Sequence, residues 1–336
     1  MSSIEDVARA SGVSMSTVSR ALRGLPNVSP ETRRVVQDAA SRLAYVPSPS
    51  ASGLSSGRHR AVAVVVPSMG RWFYTQVLEG AGSVLRRVEH DVFVIDLAAG
   101  PDGRERLFDR SLLRKRADAV IALGIDFLPQ EREELLALAM PSVLVGGSVR
   151  GMRAIGLDDA QAGRLAMEHL LDLGHERVAH VGGEDEYGVL FTVAQARRRA
   201  WADALAARGL PVPEDLFVSG GYLLPQAKVA ARALLSRPDR PTAVFAGSDE
   251  MAFGVLLAAA ELGIAVPEQL SVVGIDDHDW SAAHGLTTVR QDPREQGALA
   301  ARIVFAELDG DEPPDAALHP TGTLIVRRST ARPPAR

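Results

Sequence analysis

A small all-α head joined to a two-lobed α/β core with parallel, doubly wound sheets is the fold class this sequence predicts. Three observations lead there. Residues 1–46 carry three short apolar stripes at helical spacing, each opened by a serine. Residues 47–60 are a Ser/Pro/Gly-rich break. Beyond residue 60, β-rich apolar runs alternate with amphipathic segments, the pattern of parallel sheets covered by helices on both faces.

In the head, Ser3 caps a first helix and Asp6, three positions on, makes a loose capping box; Ile4, Val7 and Ala8 fall on one face. Gly12 marks the tight turn that follows. Ser14 caps a second helix over Met15 to Arg23, with Val18, Ala21 and Leu22 inward, and Gly24-Leu25-Pro26 stops it. Ser29-Pro30 opens a third helix whose stripe is Val35, Val36, Ala39 and Leu43. A bundle this small has little core of its own. The linker, 47–60, holds two prolines, two glycines and five serines, the composition of a spacer. Pro49 at a first helical position, with Ala51 and Leu54 one turn apart, also allows a marginal helix that forms only with a partner.

The core spans 61–336. Strands are predicted at Ala61–Val66, Val92–Leu97, Ala119–Leu123, Ser142–Val145, Val178–Val181, Ala243–Ala246, Val272–Ile275 and Leu324–Val326. Helices are predicted at Gln76–Val88, Gln161–Leu173, Ala196–Ala207, Gln226–Leu235, Glu250–Leu262 and Pro293–Leu308. So many strands exceed one domain of this kind and imply two similar lobes dividing near 158–162. Lobe 1 takes about 61–160 and 291–322, lobe 2 about 161–290 and 323–336, and the late segments 287–291 and 322–327 are expected to cross back between them. Ligands of such sheets bind outside the carboxyl ends of the strands, so two facing lobes imply a cleft.

Composition narrows the function. With no cysteine among 336 residues there is no disulfide framework, thiol nucleophile or zinc–thiolate site. No uncharged apolar run is long enough to span a membrane. The first twenty residues carry Glu5, Asp6 and Arg9 with no apolar run, so no secretory signal is expected and the cytoplasm is the expected compartment. The net charge of −5 divides into +4 over residues 1–60 and −9 over the rest, a basic head for a polyanion on an acidic body. No phosphate loop, dinucleotide-binding glycine motif or nucleophile elbow occurs. His169, His175 and His180 lack metal-ligand spacing, and Asp276-Asp277 has no nucleophile or metal partner, so that carboxylate pair suggests binding rather than catalysis. No enzyme activity, cofactor or metal is expected.

The run Ile4-Glu5-Asp6-Val7-Ala8-Arg9-Ala10-Ser11-Gly12-Val13-Ser14-Met15-Ser16-Thr17-Val18-Ser19-Arg20-Ala21-Leu22 resembles the helix-turn-helix of the LacI-type bacterial repressor family, and the match continues through Val28–Arg33 and Leu43–Pro47. The two-lobed core resembles that family's periplasmic-binding-protein-like, sugar-binding core, so the likeness covers nearly the whole chain. It implies a dimeric regulator, controlled by a small molecule, on double-stranded operator DNA. A helix presented at its N-terminal end carries Met15, Ser16, Thr17, Ser19 and Arg20 toward the major groove. The resemblance gives base reading mainly to Met15, Ser16 and Arg20, the last by a bidentate bond to guanine. Ser14, Thr17, Ser19, Asn27, Ser29 and Thr32 suit phosphates, which position without reading sequence. Tyr45, within the matching Leu43–Pro47 segment, joins the DNA-contacting set. Leu54 falls where the family places a minor-groove wedge. The chain departs from the family there: Ser48 replaces the common Asn, Pro49 follows it, and Gly53 interrupts the helix.

For the cleft, Pro67–Tyr74 matches the family segment that ends in aromatics, with Trp72 where Pro is usual. Phe73 and Tyr74 there suit either stacking on a sugar or closing the lobe. Ala196–Trp201 matches the segment whose first arginine binds effector hydroxyls, here Arg197, with Arg198 and Arg199 toward solvent. Ser248 in Ala246–Ala252, Asp276 in Gly274–Asp277 and Gln291 in Thr287–Asp292 are the polar ligands the resemblance implies, and Tyr222 is expected to add a ring. Leu123 and Gly146 stand where some sugar-binding relatives carry polar ligands, which leaves the sugar open. Arginine and aspartate forks beside an aromatic platform suit vicinal hydroxyls, so a sugar is the expected effector. A purine or phosphorylated metabolite remains an alternative within this class. A sugar-transport binding protein would share the core, but with a signal peptide and without the basic head. A small-molecule enzyme lacks a supporting motif.

Overall fold

The computed structural model describes residues 2–45, 58–97, 113, 115–183, 192–314 and 318–334. It forms two compact units, Met1–Arg60 and Ala61–Arg336. Among the described residues no helix is long and apolar enough to cross a membrane.

The first unit is built from α1 (Ile4–Ser11), α2 (Met15–Leu22) and α3 (Pro30–Arg42). Each N-terminus is satisfied locally. Ser3 and Asp6 form a reciprocal capping box, Ser14 accepts from the Thr17 N–H, and Ser29 accepts from the Thr32 N–H. Gly12 ends α1 at φ 70°, left-handed backbone that glycine adopts without penalty. Val7, Ala8, Val18, Ala21, Val36, Ala39 and Ala40 make the core. The expected stripe on α3 needs one correction: Val35 is 39% exposed, because consecutive helical positions are about 100° apart and Val36 takes the inward one.

The second unit contains two sheets. The first has strand order β2-β1-β3-β4-β5, all parallel, with β1 Ala61–Val66, β2 Asp91–Asp96, β3 Ala119–Leu123, β4 Ser142–Val145 and β5 Arg153–Ile155. The second has order β11-β10-β9-β8-β6-β7, with β6 Val178–Gly182, β7 Phe217–Ser219, β8 Ala243–Ala246, β9 Ser271–Asp276, β10 Thr287–Arg290 and β11 Thr323–Ile325. Its pairs are parallel except β10 with β11. Central strands such as β3 and β9 are buried throughout, which is why they read as continuous apolar runs.

On the first sheet lie α4 (Trp72–Leu85) and α11 (Pro293–Asp309). Their contact is backbone-close: a Cβ on Gly80 would meet the Arg294 carbonyl at 1.9 Å, and one on Gly297 the Val77 carbonyl at 2.0 Å. The short α5 is Pro129–Leu136. The second sheet is covered by α6 (Asp159–Asp172), α7 (Thr192–Ala207), α8 (Leu224–Leu235) and α9 (Asp249–Glu261), and α10 (Ser281–His284) precedes β10. The late strands do not cross between lobes; both pair within the second sheet, and the crossing is made by the chain between β10 and α11 and again before β11. The second of these runs beside the β5–α6 passage, where Gly156 N–H donates to Leu318 O at 2.9 Å and Asp158 N–H to Pro320 O at 3.2 Å.

His180 lies in the core of the second lobe, stacked on Phe245 with centroids 4.7 Å apart and bonded through Nδ1 to the Phe245 carbonyl at 2.9 Å. Burial pushes its pKa down to about 4. His175 bonds Thr242, Ser271 and the Ala331 carbonyl. Among the described residues neither joins a group of ligands that could hold a metal.

Candidate functional site

In the head, the second helix presents its N-terminal end. Met15 is 48% exposed, a large apolar side chain at the first position of α2 with no core to join. Ser14 and Ser16 are exposed beside it, and Ser14 Oγ lies 2.8 Å from Ser16 Oγ and 2.9 Å from Thr17 Oγ1. Thr17 and Ser19 are partly buried. Arg20 is exposed one turn beyond Ser16, and its Nη2 donates to the Pro26 carbonyl at 2.7 Å. Asn27 is exposed at φ 66°. Ser29 and Thr32 share a hydroxyl contact of 2.8 Å at the start of α3. Tyr45 packs partly buried against the head core. Leu54 and most of the linker lie outside the described residues.

In the core, residues at or just past the carboxyl ends of β1, β3, β4, β5, β7, β8, β9 and β10 converge on one cleft, whose empty volume is about 440 Å³, part of it open solvent. All seven residues singled out by sequence line it: Phe73 and Tyr74 from the first lobe, Arg197, Tyr222, Ser248 and Asp276 from the second, and Gln291 at the crossing. Gly146 lines it as well, whereas Leu123 is buried in the first lobe's core. Arg198 and Arg199 are exposed.

The polar groups are already engaged with one another. Arg197, buried on α7, donates from Nε and Nη2 to Asp159 Oδ1 at 2.9 and 2.6 Å and from Nη1 to the Gly247 carbonyl. Three of its five N–H groups are thereby used, leaving two for a ligand. Burial opposes the Arg197 charge, but Asp159, Tyr222 and Asp276 outweigh it and hold its pKa above the usual value. Burial raises the Asp159 carboxyl while Arg197 pulls it back; with two bonds to one oxygen, the pair is ionic. Asp276 Oδ1 accepts from Gln291 Nε2 at 2.6 Å, and Gln291 Oε1 accepts from Gln296 Nε2 at 2.9 Å, a relay from the second lobe to α11 of the first. Burial raises the Asp276 pKa, and Arg197 and the Gln291 bond oppose the rise.

Behind Asp276 sits Asp249, fully buried, accepting from Thr288 Oγ1 at 2.6 Å, Ser281 Oγ at 2.6 Å and the His278 N–H at 2.9 Å. Burial and the facing Asp276 push its pKa up to about 7. Ser248 caps α9, accepting from the Met251 N–H at 3.3 Å. Burial lifts the Tyr222 phenol to about 12.

The backbone is strained here. Tyr222 (φ 54°), Asp276 (φ 134°) and Asp277 (φ 56°) all occupy the left-handed half of the map. Such positions cost on the order of 1–3 kcal/mol each and cluster at functional sites. Gly124 (φ 53°) makes room for the Tyr74 hydroxyl, which a Cβ there would approach to 2.6 Å.

Sequence reasoning missed Arg71, Asp159 and Gln296, which also line the cleft. Arg71 stands in the Pro67–Tyr74 segment without a role having been read for it. The lobes also touch at the rim: Trp72 donates to Asp279, and the Thr192 N–H donates to Asp126 Oδ2 at 2.8 Å.

The head, residues 3–48, matches the model of "Bacterial regulatory proteins, lacI family", and residues 167–330 match that of a "Periplasmic binding protein-like domain". Catabolite control protein A of Priestia megaterium is 32% identical over 306 residues, covering 90% of this chain and 91% of that one. The chain belongs to the lacI family of bacterial regulatory proteins. It is a DNA-binding transcriptional regulator with a two-lobed effector-binding core. Among solved structures, a lac repressor dimer bound to operator and the anti-inducer ONPF is similar at TM-score 0.83 and 25% identity, over 98% of this chain and 99% of that one. A CelR–cellobiose complex is similar at TM-score 0.71 and 28% identity, over 98% and 100% of the two chains. Among the described residues no group of three or more His, Cys, Asp or Glu is placed to hold a metal.

Proposed function

We propose that this lacI-family chain is a homodimeric repressor whose grip on a roughly palindromic operator is set by a sugar-class effector held between the core lobes. What supports the effector reading is convergence: Phe73 through Gln291, more than two hundred residues apart, meet at one cleft with an aromatic wall and forked polar groups. The lac repressor and CelR complexes, which hold ONPF and cellobiose, point the same way. Arg197 and Asp276 take ligand hydroxyls, Ser248 and Gln291 add hydrogen bonds, and Phe73, Tyr74 and Tyr222 supply the rings. The role is binding, not catalysis, and it is carried out in the cytoplasm, where the operator is.

In the head, Met15, Ser16 and Arg20 read bases, while Ser14, Thr17, Ser19, Asn27, Ser29, Thr32 and Tyr45 fix the head on the backbone. Leu54 of the linker acts as the minor-groove wedge. Residues 1–46, 47–60 and 61–336 are the head, hinge and core of this switch.

Two half-sites read by a symmetric pair require a dimer. Sedimentation at micromolar concentration, together with gel shifts on a selected operator with and without a panel of sugars and purines, tests the reading. The expected result is a dimer whose operator affinity changes with one sugar-class compound. A monomer with full operator affinity, or a response to purines alone, overturns it.

A further inference from the structure

Arg71 is the cleft's least explained group. It is the residue just before α4, on the first lobe, and its guanidinium lies between two rings: 4.9 Å from the Tyr74 centroid in its own lobe and 4.6 Å from the Tyr222 centroid in the other. Two aromatic faces hold a planar cation in one orientation, so little side-chain freedom remains to be lost when something binds it. Nη1 is occupied, donating to the Tyr74 hydroxyl at 3.2 Å. Nε is buried with no hydrogen-bond partner, a state that ordinarily costs a protein stability unless a ligand or water supplies the acceptor.

Charge accounting singles out the same residue. Among the described residues the cleft is lined by two arginines and two aspartates. Arg197 is neutralised by Asp159. Asp276 accepts from Gln291; burial raises its pKa, and Arg197, the Gln291 bond and Arg71 oppose the rise, so its field is shared between two arginines and it bonds neither. Arg71 forms no ion pair among the described residues. Glu250, the other acid whose field reaches it, is itself pushed up by burial and takes a hydrogen bond from the Trp72 backbone. Among the described residues Arg71 is therefore a cation with one edge of its fork, Nε and Nη2, still open. The other end of the polar relay is an acceptor: Gln296 Oε1 is buried without a partner, because its Nε2 is committed to Gln291.

We infer that the effector is a sugar acid, whose carboxylate seats on the Nε/Nη2 edge of Arg71 while a hydroxyl donates to Gln296 Oε1. This rests on the sugar-class reading above. Charge favours a carboxylate over a phosphate: one monoanion balances the single unpaired guanidinium, while a phosphate dianion calls for a second open cation.

Titration calorimetry of the full-length protein tests it. The panel is D-gluconate, D-glucuronate and D-galacturonate, the neutral D-glucose and D-galactose, the phosphates 6-phosphogluconate and D-glucose 6-phosphate, and the purines hypoxanthine and guanine. The expected result is that one acid binds at least about tenfold tighter than its neutral parent. Arg71→Gln should collapse that preference, and Arg71→Lys should restore part of it, with thermal melts confirming that both variants fold. If the neutral sugar binds as well as its acid, or Arg71→Gln keeps the preference, the carboxylate proposal falls while the sugar reading stands. A phosphate binding tighter than every non-phosphorylated acid overturns the carboxylate in favour of a phosphorylated sugar. Purines alone binding, or no compound binding, overturns both.

Discussion

Trp72 of the first lobe reaches across the mouth of the cleft and donates its indole Nε1–H to Asp279 of the second at 3.0 Å, while its ring rests on His278 with centroids 4.6 Å apart. His278 in turn meets Phe253 and Trp280. The family usually has proline where this chain has Trp72, so this rim contact belongs to the chain's own sequence. It holds the lobes together without touching the polar floor of the cleft.

Trp72→Phe keeps a ring over His278 and removes the hydrogen bond. Closure then has one exposed bond fewer, worth on the order of 0.5–1.5 kcal/mol. Affinity for whichever panel compound binds the parent should fall roughly three- to tenfold by calorimetry. Asp279→Asn, which leaves an acceptor for the indole, should fall less. Equal affinity in Trp72→Phe and the parent would mean that the rim contributes nothing to closure.

His180 predicts an acid sensitivity. Its pKa is depressed to about 4 by burial, against an unfolded value near 6.5, so the unfolded chain takes up a proton that the folded one refuses. The His180 contribution is intact above pH 6.5 and is lost as pH falls toward 4. Between pH 7.5 and 5.0 the loss amounts to about 2 kcal/mol. His180→Asn keeps a donor for the Phe245 carbonyl and does not titrate. Urea unfolding at the two pH values should show a smaller loss in the variant, and an identical loss in both would remove His180 as the cause.

How much of this was readable beforehand depends on whether the cause was local. Ser3, Ser14 and Ser29 announce their helices because a cap acts within three residues, and β3 or β9 announces itself because burial on both faces leaves an unbroken apolar run. β5 and β7 were not read: each is a three-residue strand at a sheet edge, too short for any periodicity. The seven cleft residues came from resemblance, not pattern. Arg71, Asp159 and Gln296 escaped because their roles arise only when distant segments meet. No spacing within residues 67–74 tells that Tyr222 will close over Arg71. The strain at Tyr222 was equally hidden, since tyrosine does not advertise left-handed backbone.

Arg197 and Asp159 form a buried pair, and this alters what Arg197→Ala does. Sequence alone suggests a loss of effector affinity. The pairing adds a loss of stability of roughly 3–5 kcal/mol, because Asp159 is left buried and uncompensated. Arg197→Met combined with Asp159→Leu should recover most of that stability and none of the effector affinity, since both polar groups are gone. Chemical unfolding and calorimetry on the single and double variants separate the two effects. A double variant that binds effector like the parent would make the pair structural only.

The head offers the last test. Met15 and Ser16 are exposed at the first turn of α2, and Arg20 stands one turn further along, its guanidinium resting on the Pro26 carbonyl. To reach a guanine edge Arg20 must leave that carbonyl, exchanging one hydrogen bond for a bidentate pair worth about 1–3 kcal/mol of base discrimination. Thr32 is different in kind. It sits at the start of α3, hydrogen-bonded to the Ser29 cap, and in the docking proposed above it meets the backbone of the DNA rather than a base edge. Exchange of Met15 and Ser16 together should therefore shift the consensus recovered by binding-site selection. Arg20→Ala should relax it at a single base pair in each half-site, and Thr32→Ala should weaken every sequence about equally while leaving the consensus alone. If the Met15/Ser16 double variant returns the parental consensus, α2 does not read the operator through its N-terminal turn.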